Sequence, residues 1–492
     1  MQASSTFVRK AYELMRAGRL EEALVLAERG VDAARVCSPG HAFLASLLLK
    51  LGRAPDAERI VRGALLLDTG VADAYDGLAY ASMILGNHER ANALYRRATE
   101  IEPRVPRFWY NLAGSERSLG RLAEAEAACD RSIALDPAQY PTYLLRSELR
   151  VQTAAANHIA ELKAQLERAD LDHRARLFLG YALGKELDDV QRFGEAFHWF
   201  STAATARRSR LDYDVVTDER KLARIAEVFP DAALDQPTDD PGSARRSLES
   251  SRYIFIVGLP RSGTTLVERI LTGLPSVRSN GETENFSRAL LAAAQGAGDV
   301  FQQSAAADPE VVGTNYARLA TAGTADDRII EKLPMNYLYL GAIHRALPDA
   351  HILLVKRSPL DSCFAMYRTL FGDAYPVSYD FEDLGRYYGA YERLMNHWRR
   401  VLGDHLHEVV YEDLVREPKL IGASIARQCG LRWHDVAVDI QNNQSVSLTA
   451  SAAQVRRPIY GSSSGRWRHY HRHLAGLVAT LRRQGVSLPD EA

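Results

Sequence analysis

Four glycines, Gly18, Gly52, Gly86 and Gly120, recur every 34 residues, and four alanines, Ala23, Ala57, Ala91 and Ala125, follow each of them at the same offset. A period of this length holds two helices and their turns, so each unit is a helical hairpin. One hairpin cannot bury its apolar face alone and must stack on the next. The glycines fall in Gly-Arg or Gly-Asn turns, and the alanines mark where two helices approach so closely that only a small side chain fits. Pro103 and Pro137 keep the same interval and would close two of the units.

The first unit begins near Phe7 with FVRKAYELMRAGRLEEALVLAERG, and the whole pattern resembles the tetratricopeptide (TPR) signature. The resemblance implies an α-helical solenoid whose concave face receives a peptide or protein. Over residues 138–210 the register weakens. Phe178-Leu179-Gly180-Tyr181-Ala182-Leu183-Gly184 and Gly194-Glu195-Ala196-Phe197-His198-Trp199-Phe200 still read as paired helices, separated by an insertion around residues 186–192 and forming one or two divergent capping repeats. The turn-rich, polar residues 229–250, with DQPTDDPGSARRS, read as a linker. A chain of 492 residues exceeds one ordinary core. The expected division is therefore a TPR helical domain over 1–210, a helical segment and linker over 211–250, and a second domain over 251–492.

A net charge of −1 gives no broad electrostatic footprint for nucleic acid. Cys37, Cys129, Cys363 and Cys429 lie far apart, without metal or redox spacing. The start MQASSTFVRKAYELM has no apolar h-region, and no run of about 18 apolar residues occurs, so neither a signal peptide nor a membrane span is expected. The expected location is cytoplasmic.

The second domain is organised around Tyr253 to Thr265, YIFIVGLPRSGTT. The β-branched and aromatic run Tyr253 to Val257 predicts a buried parallel strand that stops at Gly258. Leu266-Val267-Glu268-Arg269-Ile270-Leu271 predicts a helix, so backbone N–H groups at its start would converge on an anion. Gly258 and Gly263 have P-loop spacing, but Thr264 stands where a nucleotide triphosphatase has lysine. Loss of that lysine argues against γ-phosphoryl transfer by a metal-dependent kinase. Arg261 supplies the charge instead. A strand-PRSGTT-helix unit resembles the 5′-phosphosulfate loop of sulfotransferases. It implies an α/β, P-loop-like domain with a central parallel sheet that binds 3′-phosphoadenosine-5′-phosphosulfate (PAPS), releases PAP and needs no metal. Arg261, Ser262, Gly263, Thr264 and Thr265 would hold the phosphosulfate.

The segment PRSGTTLVERILTGLPSVRSNGE resembles that of tyrosylprotein sulfotransferases, and residues 253–481 are similar overall to bacterial fusions of TPR repeats with a sulfotransferase. By this resemblance Glu282 is the catalytic base, although Gly281 stands where that family has a second Glu. By itself Glu282 reads as a solvated loop acid, and Lys332, in Glu331-Lys332-Leu333-Pro334, as a surface lysine that follows a strand end. The resemblance makes Lys332 a stabiliser of the sulfuryl group. His351-Ile352-Leu353-Leu354-Val355 predicts another buried strand, running into Lys356-Arg357-Ser358-Pro359-Leu360-Asp361, which resembles the family's 3′-phosphate motif and whose Arg357 fork suits a phosphate. Ala365 occupies the place of the family's phosphate-binding Ser, leaving Ser362 or Arg368 as substitutes. Tyr411 ends an apolar run and by itself reads as a core residue; its segment resembles the family's strand-Y-E-D-L, which implies a place near the nucleotide. The last block reads as a loop; in the family it closes over the cofactor, which places Ser451, Gln454 and Tyr460 at the phosphosulfate and Arg466 on the 3′-phosphate.

Together these residues imply a PAPS-dependent sulfotransferase acting on a hydroxyl acceptor, with a protein or peptide tyrosine recruited by the TPR domain as one candidate. Glu282, Arg261, Lys332 and Ser451 carry the chemistry. The alternative is a TPR scaffold with a non-catalytic, nucleotide-sensing α/β domain. The presence of both Arg357 and Arg466 weighs against it.

Overall fold

A computed structural model describes residues 2–32, 38–67, 70–168, 170–230, 250–320, 327–443, 445 and 452–488. The chain forms two compact units, Met1–Gln152 and Thr153–Ala492.

The first unit is built of antiparallel helix pairs: α1 (Gln2–Arg16) with α2 (Leu20–Asp32), α3 (Pro39–Lys50) with α4 (Ala54–Leu65), α5 (Ala72–Ile84) with α6 (His88–Ile101), α7 (Pro106–Leu119) with α8 (Leu122–Leu135), and then α9 (Tyr140–Glu148). Gly18, Gly52, Gly86 and Gly120 have φ between +76° and +83°, the left-handed conformation that ends one helix and turns the chain into its partner. Ala23, Ala57, Ala91 and Ala125 are buried to 1% exposure or less. The sequence period is therefore a packing period. Ion pairs follow it as well: Arg90 meets Glu58 through Nη2 at 2.6 Å and Nη1 at 2.9 Å, and Arg121 meets Glu89 at 2.8 Å.

The second unit opens with helices α10 (Ile159–Leu166), α11 (His173–Asp189), α12 (Phe193–Arg208) and α13 (Val215–Val228). No insertion separates the expected pair. α11 runs unbroken to Asp189, and Gln191, at φ +63°, takes the left-handed place that glycine holds in the regular repeats; Ala196 follows at the usual offset, fully buried. Within this unit the pair packs on the sheet-bearing portion: Tyr181 Oη donates to the carbonyl of Tyr367 at 3.1 Å, and Arg208 Nε meets Asp383 at 2.6 Å. Thus the boundary of the compact units falls at 152/153, within the stretch 138–210 where the sequence register weakens. Residues 231–249 of the expected linker lie outside the described residues, and Phe229, at the end of α13, is buried against Trp398.

All strands of the central sheet are parallel, in the order β2-β3-β1-β4-β5, with β1 (Tyr253–Gly258), β2 (Val277–Ser279), β3 (Arg328–Glu331), β4 (His351–Lys356) and β5 (Leu406–Val410). Between and after them run α14 (Thr264–Leu271), α15 (Asn285–Ala293), α16 (Val300–Ala306), α17 (Pro309–Ala320), α18 (Leu340–Ala346), α19 (Pro359–Tyr367), α20 (Phe381–Leu402), α21 (Tyr411–Arg416), α22 (Pro418–Gln428) and α23 (Ala475–Arg483). Every residue of β1 is buried because both faces are covered. Ile254 and Ile256 join Val267, Ile270 and Ile425 on one face, while Phe255 points the other way, 5.8 Å from Phe286 and 5.4 Å from Tyr316. Burying each such aliphatic or aromatic side chain contributes about 1.5–3 kcal/mol. No helix among the described residues is long and apolar enough to cross a membrane.

Candidate active site

Parallel strands deliver the residues that follow them to one edge of the sheet. The loop after β1, Glu282 after β2, Lys332 after β3, Arg357 after β4 and Tyr411 after β5 therefore share the carboxyl edge.

The loop fits an anion. Arg261 has φ +66° and Gly263 φ +110°, so the chain curls before α14 and turns successive N–H groups inward. A Cβ on Gly263 would run into the Tyr411 ring, and one on Gly258 would stand 2.6 Å from the Val355 carbonyl oxygen. Ser262 is 1% exposed, and its Oγ has no hydrogen-bond partner among the described residues; the same holds for the buried Nε of Arg357. An orphaned hydroxyl at a helix start is what a bound phosphosulfate would satisfy, and the Arg357 Nε is a donor left for a second phosphate. Thr264 and Thr265 are the first, buried residues of that helix.

Arg357 braces this cradle. It donates from Nη1 to the carbonyl of Arg261 at 2.9 Å and from Nη2 to the carbonyl of Ser463, and its guanidinium lies 4.8 Å from the centre of the Tyr411 ring. Tyr411 Oη and Ser463 Oγ are 2.5 Å apart, and burial pushes the Tyr411 phenol up. Arg261 Nη2 donates to Gln454 Oε1 at 2.8 Å, so the final loop reaches the cradle, where Tyr460 remains 38% exposed. Ser451 lies outside the described residues.

On the other side of the loop, Lys332 is fully buried, with Nζ 2.5 Å from Glu282 Oε1 and 3.7 Å from Glu268 Oε2. Glu268 belongs to α14, the helix that starts at the cradle, and it also accepts from Ser279 Oγ at 2.5 Å. The Lys332 N–H donates to the Gly281 carbonyl at 3.1 Å, which ties the turn bearing Glu282 to the end of β3. Lys332 is thus a buried ion, not a surface lysine. Such a charge needs its partners close.

Three residues here were not singled out from sequence. Glu268 looked like one more polar helix position. Glu331, fully buried, accepts from Phe286 N at 3.3 Å and Asn336 Nδ2 at 3.2 Å, and burial pushes its carboxyl up to about 7. Burial, and next the Glu282 charge, push the Tyr375 phenol up to about 12, which marks Tyr375 as a neighbour of the candidate base. A strand-end position could have flagged Glu331; nothing local distinguishes the other two.

The substitutes for the missing serine divide. Ala365 is buried, and Ser362 Oγ turns back to the Arg357 carbonyl at 3.4 Å. Arg368 and Arg466 instead converge on Asp188 of α11, Arg368 Nη1 at 2.5 Å and Arg466 Nη2 at 2.6 Å. Burial alone would raise the Asp188 carboxyl, yet the two arginine charges and Tyr470 hold it below the ordinary value. His344, another imidazole that could serve as a base, packs against His405 with ring centres 4.5 Å apart and planes tilted by 55°. His405 precedes β5, at the opposite edge of the sheet. Cys363 is a buried thiol pushed upward by burial, which suits packing rather than chemistry.

A helical-repeat unit joined to a parallel α/β unit with a lysine-free phosphate cradle defines a group-transfer class rather than a nucleotide triphosphatase. Residues 253–435 match the sulfotransferase family, and residues 77–140 match the tetratricopeptide repeat. The second unit therefore carries a sulfotransferase-family domain, and the first carries TPR repeats. An uncharacterised protein of Aquifex aeolicus is 26% identical over 412 residues, covering 81% of this chain and 53% of that protein. The protein-tyrosine sulfotransferase of Drosophila melanogaster is 25% identical over 249 residues, covering 47% of this chain and 50% of that protein. The chain spans about half the length of the curated relatives it matches. Among solved structures, the sulfotransferase domain of the Synechococcus PCC 7002 olefin synthase aligns with a TM-score of 0.35 at 20% identity, over 48% of this chain and 95% of that one.

Proposed function

We propose that the second unit transfers a sulfuryl group from PAPS to a hydroxyl acceptor. PAPS supplies a sulfuryl group already bonded to a good leaving phosphate. The observation that carries this reading is the buried chain Glu268–Lys332–Glu282, which joins the cradle's own helix to a carboxylate that is 40% exposed. Glu282 is reachable by an acceptor and takes its proton at a carboxylate oxygen, as general base catalysis requires. Lys332 and Arg261 offset the negative charge that builds on the transferring group. Ser262, Gly263, Thr264 and Thr265 wrap the phosphosulfate, Arg357 and Arg466 read the 3′-phosphate, and Tyr411, Gln454 and Tyr460 close the cradle. Ser451 joins the charge-stabilising set by resemblance alone. The acceptor proposed first is a peptide tyrosine recruited by the TPR unit, a reading supported by the likeness to the Drosophila protein-tyrosine sulfotransferase.

Thermal shift with PAP, 5′-AMP and ATP with Mg²⁺, followed by transfer of labelled sulfate from PAPS to peptides, glycans and small alcohols, tests the proposal. PAP should stabilise the folded protein far more than AMP or ATP. Equal shifts with PAP and AMP, or PAP binding without transfer to any acceptor, would instead favour the nucleotide-sensing scaffold.

A further inference from the structure

Asp188 lies outside the residues that match the sulfotransferase family, as do Arg466 and Tyr470. It is nevertheless 3% exposed and accepts from groups that the α/β fold brings to it. Arg466 reaches it through Nη2 at 2.6 Å and Nε at 3.2 Å, Arg368 through Nη1 at 2.5 Å, and Tyr470 through Oη at 2.5 Å. Burying one carboxylate under two guanidiniums leaves one positive charge uncompensated. A guanidinium has five N–H donors; Asp188 engages three on Arg466, two through its carboxylate and one through its main-chain carbonyl at 3.4 Å, and one on Arg368. Both arginine side chains stay about a fifth exposed, at 23% and 21%, so neither is sealed from solvent.

The segment carrying Arg466 is fixed on its other side too. Gly465 N donates to Asp361 Oδ2 at 2.6 Å and Trp467 N to Asp361 Oδ1 at 3.2 Å, while the Ser463 carbonyl accepts from Arg357. Arg357 and Arg466 are thereby anchored to one short stretch of chain. Arg368 stands three residues beyond Ala365, where the resemblance expects a phosphate-binding serine.

We propose that Asp188 is a positioning residue for the nucleotide's 3′-phosphate. It holds Arg466 and Arg368 in fixed rotamers, screens their mutual repulsion and leaves their remaining donors to a second anion. Helix α11, repeat-like in sequence, is then part of the nucleotide site. The inference rests on the nucleotide reading above.

Calorimetric titration of Asp188→Asn with PAP and with 5′-AMP tests it. The amide keeps the shape and removes the charge. PAP affinity should fall about tenfold while AMP affinity stays within about twofold. In a background carrying both Arg466→Gln and Arg368→Gln the same substitution should change PAP affinity by less than about twofold, because Asp188 acts through those two arginines. Should Asp188→Asn fail to fold, Tyr470→Phe removes one donor to the carboxylate and leaves both charges; a PAP-selective loss of about threefold is expected. Unchanged or tighter PAP binding, or equal loss for PAP and AMP, overturns the proposal alone. Equal affinity of the unsubstituted protein for PAP and AMP overturns the nucleotide reading with it.

Discussion

Arg357 Nη1 donates to the main-chain carbonyl of Arg261 at 2.9 Å, so the residue that follows β4 holds the backbone of the loop that follows β1. The fork engages two carbonyls and an aromatic face at once, which a single ammonium cannot do. Arg357→Lys should therefore keep the charge and lose the brace. We expect PAP affinity to drop about tenfold or more, with only a small fall in Tm, in calorimetry and thermal denaturation run side by side.

Glu282→Gln removes proton acceptance and keeps size. Single-turnover transfer should slow by about 10²–10⁴-fold with PAP affinity little changed. Normal turnover would place the base elsewhere, with the nearby Glu284 as the next residue to substitute.

Gln191 sits at φ +63° in a slot where the regular repeats use glycine. A left-handed side chain costs about 1–2 kcal/mol, partly offset by the greater freedom of glycine in the unfolded chain. Gln191→Gly should stabilise the second unit by about 0.5–1 kcal/mol, seen as a higher Tm by calorimetry.

Truncation separates two views of the domain boundary. A fragment 153–492 should fold and bind PAP, because it keeps the contacts of α11 with Tyr367 and of Arg386 with Glu219 at 2.6 Å. One starting at 251 strips these away and should aggregate. Gel filtration and PAP titration distinguish them, and a monodisperse, PAP-binding 251–492 fragment would support the boundary that the sequence suggested.

In the first unit, the hydrogen bond from Arg90 leads the causes that hold the Glu58 carboxyl at about 2, below its ordinary 4.5. The pair thus stabilises the fold above about pH 4.5 and is lost as pH falls toward 2. Glu58 is 26% exposed, so solvent screening reduces the full linkage to about 2 kcal/mol. Urea unfolding of Glu58→Gln against the parent should show that gap at pH 7 and almost none near pH 2.

Some of this was written in local sequence. The 34-residue period set the helix pairs because backbone turns and close helix contacts repeat with the residues that permit them, as Gly52 and Ala57 illustrate. YIFIVG and HILLV marked buried parallel strands, and PRSGTT marked the cradle, since a loop conformation and a strand's burial depend on adjacent residues. What sequence left open was decided by distance in space. Lys332 reads as a surface lysine until β2, β3 and β1 pair and enclose it between Glu282 and Glu268. Without a glycine at Gln191, the single left-handed turn that joins the two helices read as an insertion. Asp188 gave no local signal at all: its meaning comes from Arg368 and Arg466, which only tertiary packing brings to one carboxylate, where burial makes their pairing obligatory.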